Sequence, residues 1–326
     1  MTLAWRWGII GPGGIAGRFA GDFPLIGGGS AITAVASRSA DRAAAFAQLH
    51  AIPRAYGDVQ QLLDDDEVDV VYVATPHSRH AADSIAALRA GKHVLCEKPL
   101  ALTAAQAQSM VDVARATDRF LMEAMWARFL PSYRRLVDVV ASGRIGDVQV
   151  VEGDFGFHRP FDPAHRLFDP ALGGGATLDL GIYPVQLCSL LLGAPDGVIA
   201  RGTLAPTGVD DLSAAVLHHP SGALGVVKTS TRVQLANTAR ISGTLGSIDV
   251  PAFLHRPWHL DVSTADGTER IETKHDGDGI RFQVLEVQRC LDDGLRESPT
   301  MPLAETVQIA TTLDAICAQL GVTYPT

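Results

Sequence analysis

Lysine is scarce in this chain. Of 27 basic residues only four are lysine, namely Lys92, Lys98, Lys228 and Lys274. Cysteine is sparse as well. The four cysteines, Cys96, Cys188, Cys290 and Cys317, lie far apart, and no Cys-x-x-Cys occurs. That spacing shows no disulfide framework or thiolate metal motif, and a reducing, cytoplasmic compartment is expected. Cys96 and Cys188 sit in apolar runs and read as small core residues. No basic block or aromatic-basic interleaving is present, and the formal charge is −9, which argues against a nucleic-acid partner. No apolar run is read as long enough to span a bilayer, so no membrane partner is expected. The opening "MTLAWRWGII" lacks the ordered regions of a secretory signal. Internal repeats and low-complexity segments are missing too.

What is present is a large hydrophobic content, 47% of 326 residues. This exceeds what one core usually serves, so two domains are expected, over residues 1–123 and 124–326. The first alternates strand and helix. Short, nearly continuous apolar runs at Trp5–Ile10, Ile32–Ala36, Val68–Ala74, His93–Cys96 and Arg119–Met122 read as parallel strands buried on both faces. Helical stretches at Ile15–Ile26, Ala40–Leu49, Ala81–Ala90 and Ala104–Ala116 lie between them. Together they predict an α/β, Rossmann-type doubly wound sheet. The second half is read as α+β. Helices are expected over Pro131–Ser142, Ala176–Leu192, Ile280–Leu291 and Leu303–Leu320. Strand-like segments over 147–157 and 198–274 connect without helices, which predicts a large, open, mostly antiparallel sheet. Its uncovered apolar face, with Val233, Leu235 and Ile241 on one side or the other, predicts a homodimer through sheet faces.

Gly11-Pro12-Gly13-Gly14-Ile15-Ala16 follows the first strand and opens the first helix. The first glycine permits a tight turn and the second lets the backbone approach a pyrophosphate. The small third residue lets the helix pack on the sheet, and the helix N-terminus offers free N–H groups. A glycine-rich turn without a ligand is the alternative, but the strand-to-helix context points to a dinucleotide. The second strand ends in Ser37 and Arg38, without the acid that would take the ribose hydroxyls of NAD. Arg42 follows in the first turn of the next helix, where a cation opposes the helix dipole. NADP is therefore expected over NAD, two solvated arginines being the other reading.

Two later strands end near the expected nicotinamide. One ends Thr75-Pro76, with His77 and His80 beyond; the other ends "CEKPL", Cys96–Leu100. Proline cannot extend strand pairing, so both chains must turn there. Lys98 can then face a substrate hydroxyl, with Glu97 folded back to the protein. In "ALGGGATLDLGIYPVQL", Asp179 and Tyr183 are four apart and share a helical face. A buried aspartate needs a partner. A nearby ammonium would serve and would lower the tyrosine's pKa, making Tyr183 a general base. A core tyrosine bonded to Asp179 is an equal alternative. Trp126, Phe157, His158, Arg166, His255 and Trp258 are candidate substrate contacts, with packing or solvation the competing reading for each. Histidine pairs at 77/80, 158/165 and 218/219 have no accompanying acid or cysteine at ligand spacing, so no metal is expected.

These residues resemble the Gfo/Idh/MocA oxidoreductases over essentially the whole chain, through Gly11–Ala16, "EKP" at 97–99 and "DLGIY" at 179–183. Within that family the chain looks most like the dimeric dihydrodiol dehydrogenase and NADP-dependent D-xylose dehydrogenase branch. "EAMWARFLP" (123–131), "GGGATLDLGIYPVQ" (173–186), "GVDD" (208–211), "VQLANTARISGTLG" (233–246) and "GVTYP" carry that likeness. The stretches "HRPFDPAHRLFDP" (158–170) and "FLHRPWHL" (253–260) depart from the pattern. The resemblance implies oxidation of C1 of an aldose, or of a trans-dihydrodiol, with NADP. It implies that Lys98 and Tyr183 act at the reacting hydroxyl with Asp179 in support, that Arg38 and Arg42 hold the 2′-phosphate, and that the chain forms a dimer. Gly11, Gly13, Gly14, Ile15, Ala16, Ser37, Thr75, Pro76, His80, Glu97 and Lys98 complete the expected cofactor site. A glycoside hydrolase working by transient oxidation and a non-catalytic NADP sensor are the alternative functions.

Overall fold

A computed structural model describes residues 4–325. Six strands form a parallel sheet: β1 (Arg6–Ile10), β2 (Ala31–Ala36), β3 (Arg54–Tyr56), β4 (Val70–Val73), β5 (His93–Glu97) and β6 (Leu121–Ala124). Their order is β3-β2-β1-β4-β5-β6, so the chain reverses direction across the sheet between β1 and β4. A doubly wound sheet binds its ligand at such a switch point. β4 is the sequence VVYV with every residue buried, as a strand covered on both faces requires. The edge strand β3 is not among the expected strands. It has three residues of mixed exposure and no readable period.

The helix Ala40–Leu49 has the expected limits, and its Ser39 cap accepts from the Arg42 N–H. The first helix is shorter than expected and ends at Asp22, because Pro24 follows and the chain tightens into a 3₁₀ turn over Phe23–Leu25. The helix His77–Arg89 starts earlier than expected, directly after Pro76. Under the sheet, Phe19 stacks on Tyr72 at 4.0 Å between centroids and meets Trp7 at 5.7 Å.

The compact unit built on this sheet comprises the chain up to Ala101, Ala105–Phe129 and Asp276–Thr306. The boundary expected at 123/124 is therefore incomplete, because a late segment holding the helix Arg281–Asp292 returns to this unit. Arg18–Asp278 at 2.8 Å, Arg296–Asp118 at 2.7 Å and Arg128–Glu305 at 2.5 Å bind it there, with Trp5 Nε1 donating to Asp292 at 3.0 Å. Helical periodicity marks an element but does not say which sheet it covers.

The second unit comprises Leu102–Ala104, Leu130–His275 and the chain from Val307 onward. Its sheet contains β7 (Val148–Gly156), β8 (Gly197–Leu204), β9 (Asp210–His218), β10 (Leu224–Ser230), β11 (Ala239–Gly243), β12 (Gly246–Val250), β13 (His259–Thr264) and β14 (Gly267–Glu272). The order is β14-β13-β12-β11-β7-β10-β9-β8. All neighbours are antiparallel except β7 and β10, which run parallel at the centre. One face is covered by the helix Ile182–Leu192. Gly153 and Gly225, on the two central strands, permit that approach: a Cβ there would lie 3.1 Å from Pro184 Cβ and 2.9 Å from Cys188 Sγ respectively. On the opposite face Ile199, Val216 and Val226 are cross-strand neighbours, with Ile199 68% and Val216 40% exposed. Ile241 is fully buried and does not belong to an exposed face. The segment Pro170–Leu192 is long and apolar enough to pass for a membrane span, contrary to the reading that no such run exists, but 83% of an 18-residue apolar stretch within it is buried inside the molecule, as for a core helix.

Candidate active site

In the first unit, Ile10, Val73 and Cys96 are in register across β1, β4 and β5, with Glu123 of β6 beside Cys96. The chain leaves this row as Gly11, as Ala74-Thr75-Pro76 and as Glu97-Lys98-Pro99. Gly11 has φ +93°, and a Cβ on it would lie 2.8 Å from the Ala74 carbonyl and the Thr75 nitrogen. Only glycine fits that turn. Gly13 precedes the first turn of the helix Gly14–Asp22, and a Cβ on Gly13 or Gly14 would meet nothing within 4 Å. That open backbone, with the N–H groups of Gly14, Ile15 and Ala16 at a helix start, fits a dinucleotide's pyrophosphate. Ala16 itself is fully buried against the sheet. The buried Thr75 Oγ1, without a hydrogen-bond partner, is a further polar atom at this edge.

At the end of β2, Ser37 is buried and its hydroxyl accepts from the Ser39 N–H at 3.2 Å. Arg38 is exposed. Arg42 is exposed too, and its Nη2 lies 3.5 Å from the Pro12 carbonyl, so the guanidinium stands beside the glycine loop.

Lys98 follows β5 and precedes Pro99 through a cis peptide bond. Glu97 turns inward: Tyr72 donates to its Oε1, and its Oε2 accepts from the Lys98 N–H at 3.2 Å. Burial raises the Glu97 pKa, opposed by the Tyr72 bond and the Lys98 charge. Glu97 thus braces the lysine's loop. His80 is turned inward as well. It is completely buried, with Nδ1 2.8 Å from the Pro99 carbonyl and Nε2 2.9 Å from the Thr75 carbonyl. The ring ties the ends of β4 and β5 together and offers a cofactor no free edge. Burial lowers its pKa, while the two carbonyls work the other way. Trp126 is 1% exposed and lies under the Arg18 guanidinium at 5.4 Å, so it reads as a packed ring rather than a substrate contact.

In the second unit, Asp179 lies in a widened helical turn, Thr177–Gly181, that leads into the helix carrying Tyr183. Such π-type turns recur at functional sites. The turn is anchored by Asp210, which accepts from the Thr177 N–H at 2.8 Å and from its hydroxyl at 2.7 Å. Asp179 forms a two-pronged ion pair with Arg166, both bonds at 3.1 Å. The cation found beside it in this unit is therefore a guanidinium, where the sequence suggested an ammonium. The Tyr183 ring meets Phe155 at 5.3 Å and His255 at 5.2 Å, and those two stack at 4.6 Å. Other candidates are engaged elsewhere. Phe157 packs against the small cluster of Leu167, Phe168, Ala205 and Val209. His158 Nδ1 lies 2.7 Å from the Arg232 carbonyl, and Trp258 stacks on His275 at 5.2 Å. Among the described residues, no group of three His, Cys, Asp or Glu side chains could hold a metal ion.

Sequence reasoning missed Tyr72, Phe155 and Glu123. For Glu123 a signal existed, because a carboxylate inside the wholly buried strand LMEA demands an explanation.

A parallel sheet with this strand order and glycine loop defines a dinucleotide-binding protein. Residues 5–125 match the oxidoreductase family with an NAD-binding Rossmann fold, and residues 133–249 match the GFO/IDH/MocA C-terminal domain. The chain belongs to the Gfo/Idh/MocA oxidoreductase family. It is 38% identical to trans-1,2-dihydrobenzene-1,2-diol dehydrogenase of Bos taurus, with 99% of each chain covered. To the enzyme of that name from Homo sapiens it is 37% identical at the same coverage. Among solved structures it is similar to an aldose-aldose oxidoreductase from Caulobacter crescentus complexed with glycerol, with TM-score 0.88, 26% identity and 97% of each chain covered. It is also similar to a 3-ketoreductase from Actinomadura kijaniata in complex with NADP and TDP-benzene, with TM-score 0.85 and 26% identity, over 99% of this chain and 100% of the other.

Proposed function

We propose that this enzyme is an NADP-dependent dehydrogenase acting on the hydroxyl-bearing carbon of an aldose such as D-xylose, or of a trans-dihydrodiol. The observation that carries the proposal is the braced lysine: Lys98 stands just past the carboxyl end of β5, on a loop fixed by Glu97 and His80. The full-length likeness to dihydrodiol dehydrogenases and to an aldose oxidoreductase supports the substrate class. The absence of an acid at the end of β2, with Arg38 and Arg42 exposed there, supports the 2′-phosphate of NADP, as does the NADP of the related 3-ketoreductase.

When bound, the nicotinamide accepts or returns the hydride. The chain's own residues do the rest. The Lys98 ammonium binds the reacting hydroxyl and favours the ionised form of a phenol acting with it. The Tyr183 phenol takes the hydroxyl proton in oxidation and returns it in reduction. Arg166 holds Asp179, and Phe155 and His255 fix the plane of the Tyr183 ring. A homodimer through the Ile199–Val216–Val226 face and a cytoplasmic setting belong to the same reading. The test is a panel of aldoses, inositols and trans-diols with NADP and with NAD, followed by nicotinamide absorbance. Turnover of an aldose or trans-diol with NADP is expected; turnover with NAD alone, or with inositols alone, would overturn the assignment.

A further inference from the structure

The turn that carries Lys98 is held by three buried ionisable side chains. The Lys98 N–H donates to Glu97 Oε2 at 3.2 Å, and the Pro99 carbonyl lies 2.8 Å from His80 Nδ1. The Leu100 N–H donates to Glu123 Oε1 at 2.9 Å. Glu97, His80 and Glu123 are 5%, 0% and 2% exposed. Glu97 and His80 brace the loop in the reading above, whereas Glu123 has no place in it yet.

An amide N–H does not need a carboxylate. A glutamine or a backbone carbonyl would satisfy it without the cost of burying a charge. Yet the chain places a glutamate in the wholly buried strand β6. The carboxyl's second oxygen, Oε2, and the Thr306 hydroxyl are both buried, stand beside each other and have no other partner, so either can donate to the other. Oε2 is therefore a place to keep a proton. Protonated, it can donate to Thr306 Oγ1. Ionised, the carboxylate gives the Leu100 N–H a charge-assisted bond and presents a negative charge to Lys98. Burial pushes this carboxyl up to about 7, with the Leu100 amide, Arg128, Thr306 and Lys98 pulling the other way. Arg128 is itself paired with Glu305 at 2.5 Å. From β5, Cys96 sits in register with Glu123, and Glu97 follows it.

We propose that Glu123 is a positioning residue for Lys98: ionised, it holds the Lys98–Leu100 turn through the Leu100 amide and steadies the lysine's charge; protonated, it lets the turn relax. This rests on the reading of Lys98 as catalytic. Glu123 touches neither substrate nor cofactor in this proposal and acts only through the turn.

The test reads the turn and the turnover separately. In the whole enzyme, the Leu100 amide-proton NMR shift is followed between about pH 5.5 and about pH 8.5, spanning the carboxyl's titration. It is expected to move upfield as pH falls, with a midpoint near that of Glu123, because a neutral carboxyl is the weaker acceptor. Glu123→Gln keeps an acceptor and removes the titration, so the Leu100 shift should become flat. The same substitution should remove the acidic limb of the wild-type kcat profile and lower kcat by about tenfold on the basic side, with the KM for NADP within about twofold. A flat Leu100 shift in the wild type, an unchanged titration in Glu123→Gln, or an acidic limb that survives the substitution would each overturn the proposal. The wild-type titration stands even if Glu123→Gln does not fold. Lys98→Met separates the two levels: it should lose turnover yet keep a Leu100 titration, shifted upward by the loss of the cation. Turnover retained in Lys98→Met would overturn the catalytic reading instead, with the Leu100 titration still present to tell the two failures apart.

Discussion

The Tyr72 hydroxyl donates to the Glu97 carboxylate across two neighbouring parallel strands. Tyr72 is in register with Leu95, and Glu97 is two residues further on, so all three share one face of the sheet. Phe19 stacks on the phenol ring and fixes its tilt. Tyr72→Phe keeps that stack and removes the donor. The buried Glu97 then loses a bond, and unfolding free energy should fall by about 1–3 kcal/mol. Chemical denaturation checks this; an unchanged midpoint would show that another donor replaces the phenol.

The exposed Arg38 at the tip of β2 is expected to set the cofactor preference. Arg38→Asp removes a cation from the 2′-phosphate and supplies an acceptor for ribose hydroxyls. The ratio of kcat/KM for NADP to that for NAD should fall in the variant. An unchanged ratio would remove Arg38 from the cofactor site.

Lys98 and Tyr183 are expected to act as one unit. Lys98→Met and Tyr183→Phe should each lower turnover by roughly 10²–10⁴-fold. Both should still bind NADP, since the glycine loop and Arg38 are untouched. The double variant should lose far less than the product of the two losses. Fully multiplicative losses would mean that the groups work independently.

Asp210, the first residue of β9 and the acceptor for Thr177 at the start of the turn that leads to Tyr183, links stability to pH. Burial pushes its carboxyl from 3.8 to about 6, against the pull of the Thr177 bonds. A pKa raised on folding gives stability that is fully present below the unfolded value and is lost as pH rises through the folded one. The window therefore runs from about pH 4 to about pH 6, and the loss is on the order of 3 kcal/mol. Asp210→Asn keeps an oxygen for Thr177 and cannot ionise. Wild-type unfolding free energy relative to this variant should fall across that window. A constant difference would mean that Asp210 does not carry the linkage.

Much of the fold was legible because its elements announce themselves singly. Val70–Val73 is continuous and apolar, so its burial on both faces could be read directly. Lys98 stood out because lysine is rare and the strand before it is apolar. What escaped needed knowledge of direction. His80 lies three residues into the helix that begins at His77, and that turn aims its ring at the Thr75 and Pro99 carbonyls rather than outward. Arg166 reaches Asp179 from a loop thirteen residues earlier in the chain, a distance that no periodicity encodes. The strand β3 is too short to have a pattern, and the parallel pairing of β7 with β10 depends on a chain crossing that the strand residues themselves do not record.

The return of Asp276–Thr306 to the first unit bears on how the protein is made. The ribosome releases the glycine loop and all six parallel strands first, and the segment that supplies Asp278, Asp292, Arg296 and Glu305 emerges only after Leu130–His275. The nascent nucleotide-binding half must wait, incompletely covered, while the whole large sheet of the other unit is synthesised. A gene fragment stopped at Phe129 encodes the phosphate loop and all six parallel strands but not the segment that pairs with Trp5, Arg18, Asp118 and Arg128. Its product should be captured by chaperones or proteases where the full chain is not.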